Sequence, residues 1–114
     1  MTMRPLPLAL ILALFVAAPA AAKPREVTVG DDFFVRKGSP PTVKVRKGKV
    51  VRFVWTGSRQ HNVVTVDGPG KAKIECGLRR SGKCERKPPR VGTYTLQCSI
   101  HAPDMEMKLR VRRP

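Results

Sequence analysis

The chain has 114 residues, with 23 Lys and Arg against 8 Asp and Glu, giving a formal net charge of +15. Its length suits one domain with a modest core. The charge favours anionic partners: an acidic protein face, an anionic membrane surface or a cell-wall polymer. Nucleic acid is set aside because the start of the chain points to export.

Residues 1–22 run MTMRPLPLALILALFVAAPAAA. Arg4 gives a positive start, Leu6 to Ala18 is apolar apart from Pro7, and small residues follow Pro19 before Lys23. That order reads as a cleaved secretory signal peptide, cut after Ala20 or Ala22. The apolar stretch is short for a membrane span of about 20 residues. The expected organisation is a signal over 1–22 and a single soluble domain over 23–114. That domain is expected to be monomeric, in the periplasm or at the cell surface.

Strand signals fill the rest of the chain. Glu26–Val29 alternates, and Phe34-Val35 follows the pair Asp31-Asp32. Thr42–Arg46 alternates up to the turn Lys47-Gly48. Val50–Trp55 is dense in β-branched and aromatic residues, and Asn62–Val66 ends at Asp67-Gly-Pro-Gly70. Residues 67–91, charged and rich in Gly and Pro, read as a long loop. Thr93–Cys98 and Met107–Arg112 alternate again. Short strands separated by Gly and Pro turns argue for an all-β antiparallel sandwich or barrel. Neighbours in a strand face opposite sides. Tyr94, Leu96 and Cys98 therefore share one face, and Met105, Met107, Leu109 and Val111 share a core-facing one.

Three cysteines in an exported chain imply one disulfide and one thiol kept for chemistry. Cys76 and Cys84 flank a short Gly-containing loop and are the expected pair, worth about 2–3 kcal/mol. Cys98 is the odd one out. The only histidines are His61 and His101, and Met105 and Met107 are the only methionines after the signal. Cys98, His101 and Met105 lie in one short segment. With the distant His61 they offer a thiolate, two imidazoles and a thioether. That set suits a trigonal His₂Cys copper site with a weak axial sulfur, carried by Met105. A lone buried Cys or His is usually an ordinary core residue. Here every histidine, the unpaired cysteine and a methionine fall into one pattern.

The segment Tyr94-Thr-Leu-Gln-Cys-Ser-Ile-His-Ala-Pro-Asp-Met-Glu-Met-Lys-Leu-Arg-Val111 resembles the C-terminal copper loop and last strand of the plastocyanin/azurin family of cupredoxins. His61-Asn-Val63 is similar to that family's upstream histidine motif, and Val43–Phe53 to its strand–Gly–strand segment. The resemblance implies a Greek-key β-sandwich of about eight strands with one copper ion at one end. It implies that His61, Cys98 and His101 bind copper in a plane with Met105 axial. It further implies that Asn62 hydrogen-bonds near the Cys98 sulfur and braces the loop.

The function expected on this basis is one-electron transfer with a redox protein partner bearing an acidic face. A peripheral contact with an anionic membrane or cell wall is a further expectation from the charge. A copper-binding or delivery protein with the same ligands is the alternative, distinguished by how readily it releases the ion. Two others weigh less: a zinc site of Cys76, Cys84, Cys98 and His101, and a basic adhesion domain that only keeps the fold. Nothing in the sequence suggests an enzyme, since no histidine is spare for a general base and no second metal set is present.

Overall fold

The computed structural model describes residues 2–5 and 23–114. The signal-peptide reading falls on residues 1–22 and so lies almost wholly outside the described residues. Among the described residues there are nine strands and no helix, and so no helix long and apolar enough to cross a membrane. The strands are β1 Arg25–Gly30, β2 Phe33–Phe34, β3 Thr42–Arg46, β4 Val51–Trp55 and β5 His61–Asp67, then β6 Cys76–Arg79, β7 Gly82–Arg86, β8 Gly92–Gln97 and β9 Glu106–Arg112. They form two sheets, ordered β2-β1-β4-β7 and β3-β9-β8-β5-β6.

All seven strands expected from pattern are present, with ends shifted by a residue or so. Two expectations need correction. The segment 67–91 is not simply a loop, because it contains β6 and β7. Neither alternates convincingly. Each is held as a strand by its neighbour: β6 pairs with β5, and β7 pairs with β4 over Val51↔Arg86 to Trp55↔Gly82. Tertiary pairing overrides weak local preference here. The sheets are also mixed rather than purely antiparallel. β1 runs parallel to β4, and β3 parallel to β9. The chain crosses between sheets after β2 and again after β3, so β1 and β4 enter the first sheet in the same direction.

The core lies between the sheets. Val27, Val29, Phe53, Trp55, Val63, Tyr94, Leu96, Met107 and Leu109 are all buried there. In β9 the burial alternates, with Met107, Leu109 and Val111 inside and Lys108, Arg110 and Arg112 outside. The buried Tyr94 hydroxyl donates to the Arg90 carbonyl at 2.8 Å and accepts from the Arg90 amide at 3.1 Å. That satisfies its polar end and anchors the entry to β8. The expected disulfide joins Cys76 to Cys84. Because β6 and β7 belong to different sheets, the bridge ties the two layers together at their shared edge.

One end of the sandwich collects the residues of interest. β5 and β9 start there and β8 finishes there, as the antiparallel pairing of Val64 with Gln97 and of Gln97 with Glu106 requires, and β1 ends there too, since Asp31 just beyond it meets His61.

Candidate metal centre

His61 is the first residue of β5 and is fully buried. The Trp55 indole N–H donates to its carbonyl at 2.9 Å, which fixes the chain where it crosses from β4 to β5. Cys98 directly follows β8 and is also fully buried, as a free thiol. The alternation of β8 turns its side chain inward, like Tyr94 and Leu96. His101 lies in the loop beyond, with its side chain 25% exposed.

That loop is closed by its own backbone. The His101 amide donates to the Cys98 carbonyl at 3.2 Å, and the Met105 amide to the His101 carbonyl at 3.1 Å. The Cys98 amide in turn donates to the Met105 carbonyl at 3.2 Å. Asn62 ties the loop to β5: its side-chain amide donates to the Ser99 hydroxyl at 2.8 Å and accepts from the Ser99 amide at 2.8 Å. Met105 is fully buried between His101 and the start of β9, and Met107 is buried one strand step further in, opposite Leu96.

Three donor atoms converge. The Cys98 sulfur lies 3.5 Å from His101 Nδ1 and 4.0 Å from His61 Nδ1, and the two Nδ1 atoms are 3.3 Å apart. A circle through these three atoms has a radius of about 2.1 Å, the length of a metal–imidazole bond and close to that of a metal–thiolate bond. Of the candidate residues, His61, Cys98 and His101 make up the one such cluster of His, Cys and acidic groups among the described residues. Cys76 and Cys84 are consumed in the disulfide, so the Cys₃His zinc set is ruled out.

The outer ring nitrogens explain why the cluster suits a cation. His61 Nε2 is 2.9 Å from Asp31 Oδ1, and His101 Nε2 is 3.1 Å from Asp32 Oδ1. A carboxylate only accepts, so in the neutral rings each Nε2 carries the proton and each Nδ1 presents a lone pair. Two lone pairs and a sulfur then face one another across a short gap. A positive ion between them relieves that arrangement, and the residues present fit a soft to borderline metal.

Asp31 and Asp32 carry no role in the sequence pattern beyond preceding the Phe34-Val35 strand signal. They form the two-residue turn between β1 and β2, in which Gly30 pairs with Phe33. Asp32 has φ 69°, a left-handed conformation that Asp tolerates better than most residues. Asp31 also accepts from the Ser58 amide and hydroxyl and from the Arg59 amide. A side chain at Gly57 would collide with the Asp31 carboxylate, so the close approach requires glycine. The His61 ring N–H, followed by the Ser58 and Arg59 amides, holds the Asp31 carboxyl well below the usual carboxylate range.

No family model matches the sequence, and no curated protein matches it as a relative. Solved structures do match. A copper-containing nitrite reductase (NirK) from Thermus scotoductus SA-01 shares 24% identity over 87% of this chain, with a TM-score of 0.67. The likeness covers 25% of the reductase, so the chain spans about a quarter of that protein. A reduced variant of amicyanin shares 23% identity, over 82% of this chain and 87% of amicyanin, with a TM-score of 0.66. The reduced Cu(I) form of another amicyanin variant, at pH 4, aligns over the same shares with a TM-score of 0.65. At these identities the likeness is one of fold, and the fold is that of the cupredoxins.

Proposed function

We propose that this cupredoxin-fold chain is a type 1 copper protein that carries single electrons between redox proteins. The observation that carries the reading is the convergence of Cys98 Sγ with the Nδ1 atoms of His61 and His101 at metal-binding separations. Copper bound there supplies a one-electron couple between Cu(II) and Cu(I). Cys98 would hold the ion as a thiolate, with His61 and His101 as its two imidazole donors.

Met105 is our choice for the weak axial donor. Its backbone is hydrogen-bonded to both Cys98 and His101, whereas Met107 is already paired with Leu96 inside the sheet. Asn62 braces the loop through Ser99, next to the ligand Cys98.

Burial of His61 and Cys98 favours a carrier over a delivery protein, because an ion held by buried, hydrogen-bonded ligands exchanges slowly. His101 is the ligand nearest solvent and the natural route for the electron. Exposed Ile100, Ala102 and Pro103 surround it as a small apolar contact surface. Copper held there would take up one electron from a donor and pass it to an acceptor, with no bond made or broken in the chain. The basic surface is proposed to attract an acidic partner from a distance. The Cys76–Cys84 bridge supports the proposal that the protein is exported to an oxidising compartment. The likeness to one quarter of a nitrite reductase carries no reductase activity to this chain.

The test is reconstitution of the purified domain with one equivalent of Cu(II). An intense visible charge-transfer band should form from the thiolate. Cys98→Ser should lose it while the sandwich stays folded. A wild-type protein that binds copper yet stays colourless refutes the assignment.

A further inference from the structure

The two aspartates stand out against the composition. Only 8 of 114 residues are acidic, and two of them sit side by side in the turn nearest the cluster. Each faces a different histidine: Asp31 Oδ1 meets His61 Nε2 at 2.9 Å, and Asp32 Oδ1 meets His101 Nε2 at 3.1 Å. Their second anchors are independent of the histidines. Asp31 is held by the Ser58 amide and hydroxyl and by the Arg59 amide, all within 3.2 Å. Asp32 Oδ2 accepts from the Arg59 guanidinium at 3.2 Å. Glycine at position 57 gives the Asp31 carboxylate room, and the left-handed backbone at Asp32 turns the chain at that residue.

We propose, resting on the copper reading above, that Asp31 and Asp32 are positioning residues for both imidazole ligands, a carboxylate brace that favours Cu(II) over Cu(I). Two physical effects act in the same direction. A carboxylate paired to the outer nitrogen fixes the ring's tautomer and orientation and makes the coordinating nitrogen a stronger donor. The negative charge beyond the imidazoles, full at Asp31 and partly offset by Arg59 at Asp32, also stabilises the doubly charged ion more than the singly charged one. The neutral side chain of Asn would keep an acceptor near each ring but remove the charge, which separates the electronic role from the purely structural one.

The experiment compares copper-loaded wild type with Asp31→Asn, Asp32→Asn and a control, Asp67→Asn. Asp67 is exposed at the far end of β5, about 20 Å along the strand from His61. The visible spectrum is recorded first and the reduction potential second, at one pH and ionic strength. Both brace variants should stay blue and have raised potentials, with the larger rise for Asp31→Asn. A tenfold loss of preference for Cu(II), at the low end for such supporting contacts, reads as about 59 mV for a one-electron couple. The Asp67→Asn protein should keep the wild-type potential.

Potentials of the two brace variants equal to the control, or lower than wild type, overturn the proposal while leaving the copper site intact. Should Asp31→Asn fail to fold through loss of its loop contacts, Asp32→Asn, whose carboxylate makes only side-chain contacts, decides the matter alone. A wild type that never turns blue overturns the copper reading itself, and this proposal with it.

Discussion

Removing the disulfide tests whether the two layers depend on their covalent tie. Cys76 pairs in register with Val63 of β5, and Cys84 with Phe53 of β4, so the bridge spans from one sheet to the other beside two core residues. The cysteines are eight apart in sequence. On the chain-entropy model a closed loop of that length removes about 2.5 kcal/mol of unfolded-state freedom. The double variant Cys76→Ala, Cys84→Ala also vacates the space of two buried sulfurs, which adds to the loss. For a domain of this size each kcal/mol moves the melting temperature by about 4–8 °C, so the midpoint should fall by about 10–20 °C. Thermal or urea unfolding of the metal-free proteins measures this. The copper-loaded variant should still be blue, because neither cysteine belongs to the donor cluster. An unchanged midpoint would refute the staple. Lost colour with a folded protein would instead show that β6, which pairs Arg79 with His61, needs the bridge to hold that ligand.

The remaining predictions concern the axial sulfur and the surface charge. Met105→Leu should raise the reduction potential, since losing a weak donor disfavours Cu(II), and electrochemistry on the blue protein reads the shift. Met107→Leu should leave spectrum and potential nearly unchanged and cost under about 1.5 kcal/mol as a near volume-conserving core swap. The reverse pattern would move the axial role to Met107. Electron transfer with an isolated acidic partner should slow steeply with added salt in stopped-flow measurements, because attraction is screened over about 8–10 Å near physiological ionic strength. Rates independent of salt would count against the basic surface as the steering element.

Much of the architecture was legible because seven strands carry their own alternation or β-branched density. The strand β3 is the clearest case, its bounds Thr42–Arg46 readable from TVKVR and the Lys-Gly turn after it. The ligand cluster was legible for a different reason: rare residue types in a short chain leave few combinations. β6 and β7 were not, since CGLR and GKCER look like turn and their strand state comes from partners distant in sequence. The parallel pairings were hidden too, as no local signal says which sheet a strand enters. Asp31 and Asp32 were given no role because the histidines they meet are 30 and 69 residues away in sequence. The available hint was compositional: adjacent acids in a chain so short of them.

The centre draws on elements held by hydrogen bonds within the chain itself. His61 is set by Trp55 at its carbonyl and by Asp31 at its ring. Cys98 and Met105 share a backbone hydrogen bond, and Met105 shares another with His101. Asn62 locks the loop to the strand that begins with His61. Each constraint enters from a different segment, so freeing one ligand leaves the others held. A scaffold of this kind imposes its geometry on the ion rather than adapting to it. On the proposed copper reading, Cu(I) and Cu(II) would meet nearly the same surroundings, and little rearrangement would accompany the electron. The same rigidity holds the Asp31 and Asp32 carboxylates at set distances from the ligand rings, where solvent screens them only in part, their side chains being 36% and 49% exposed.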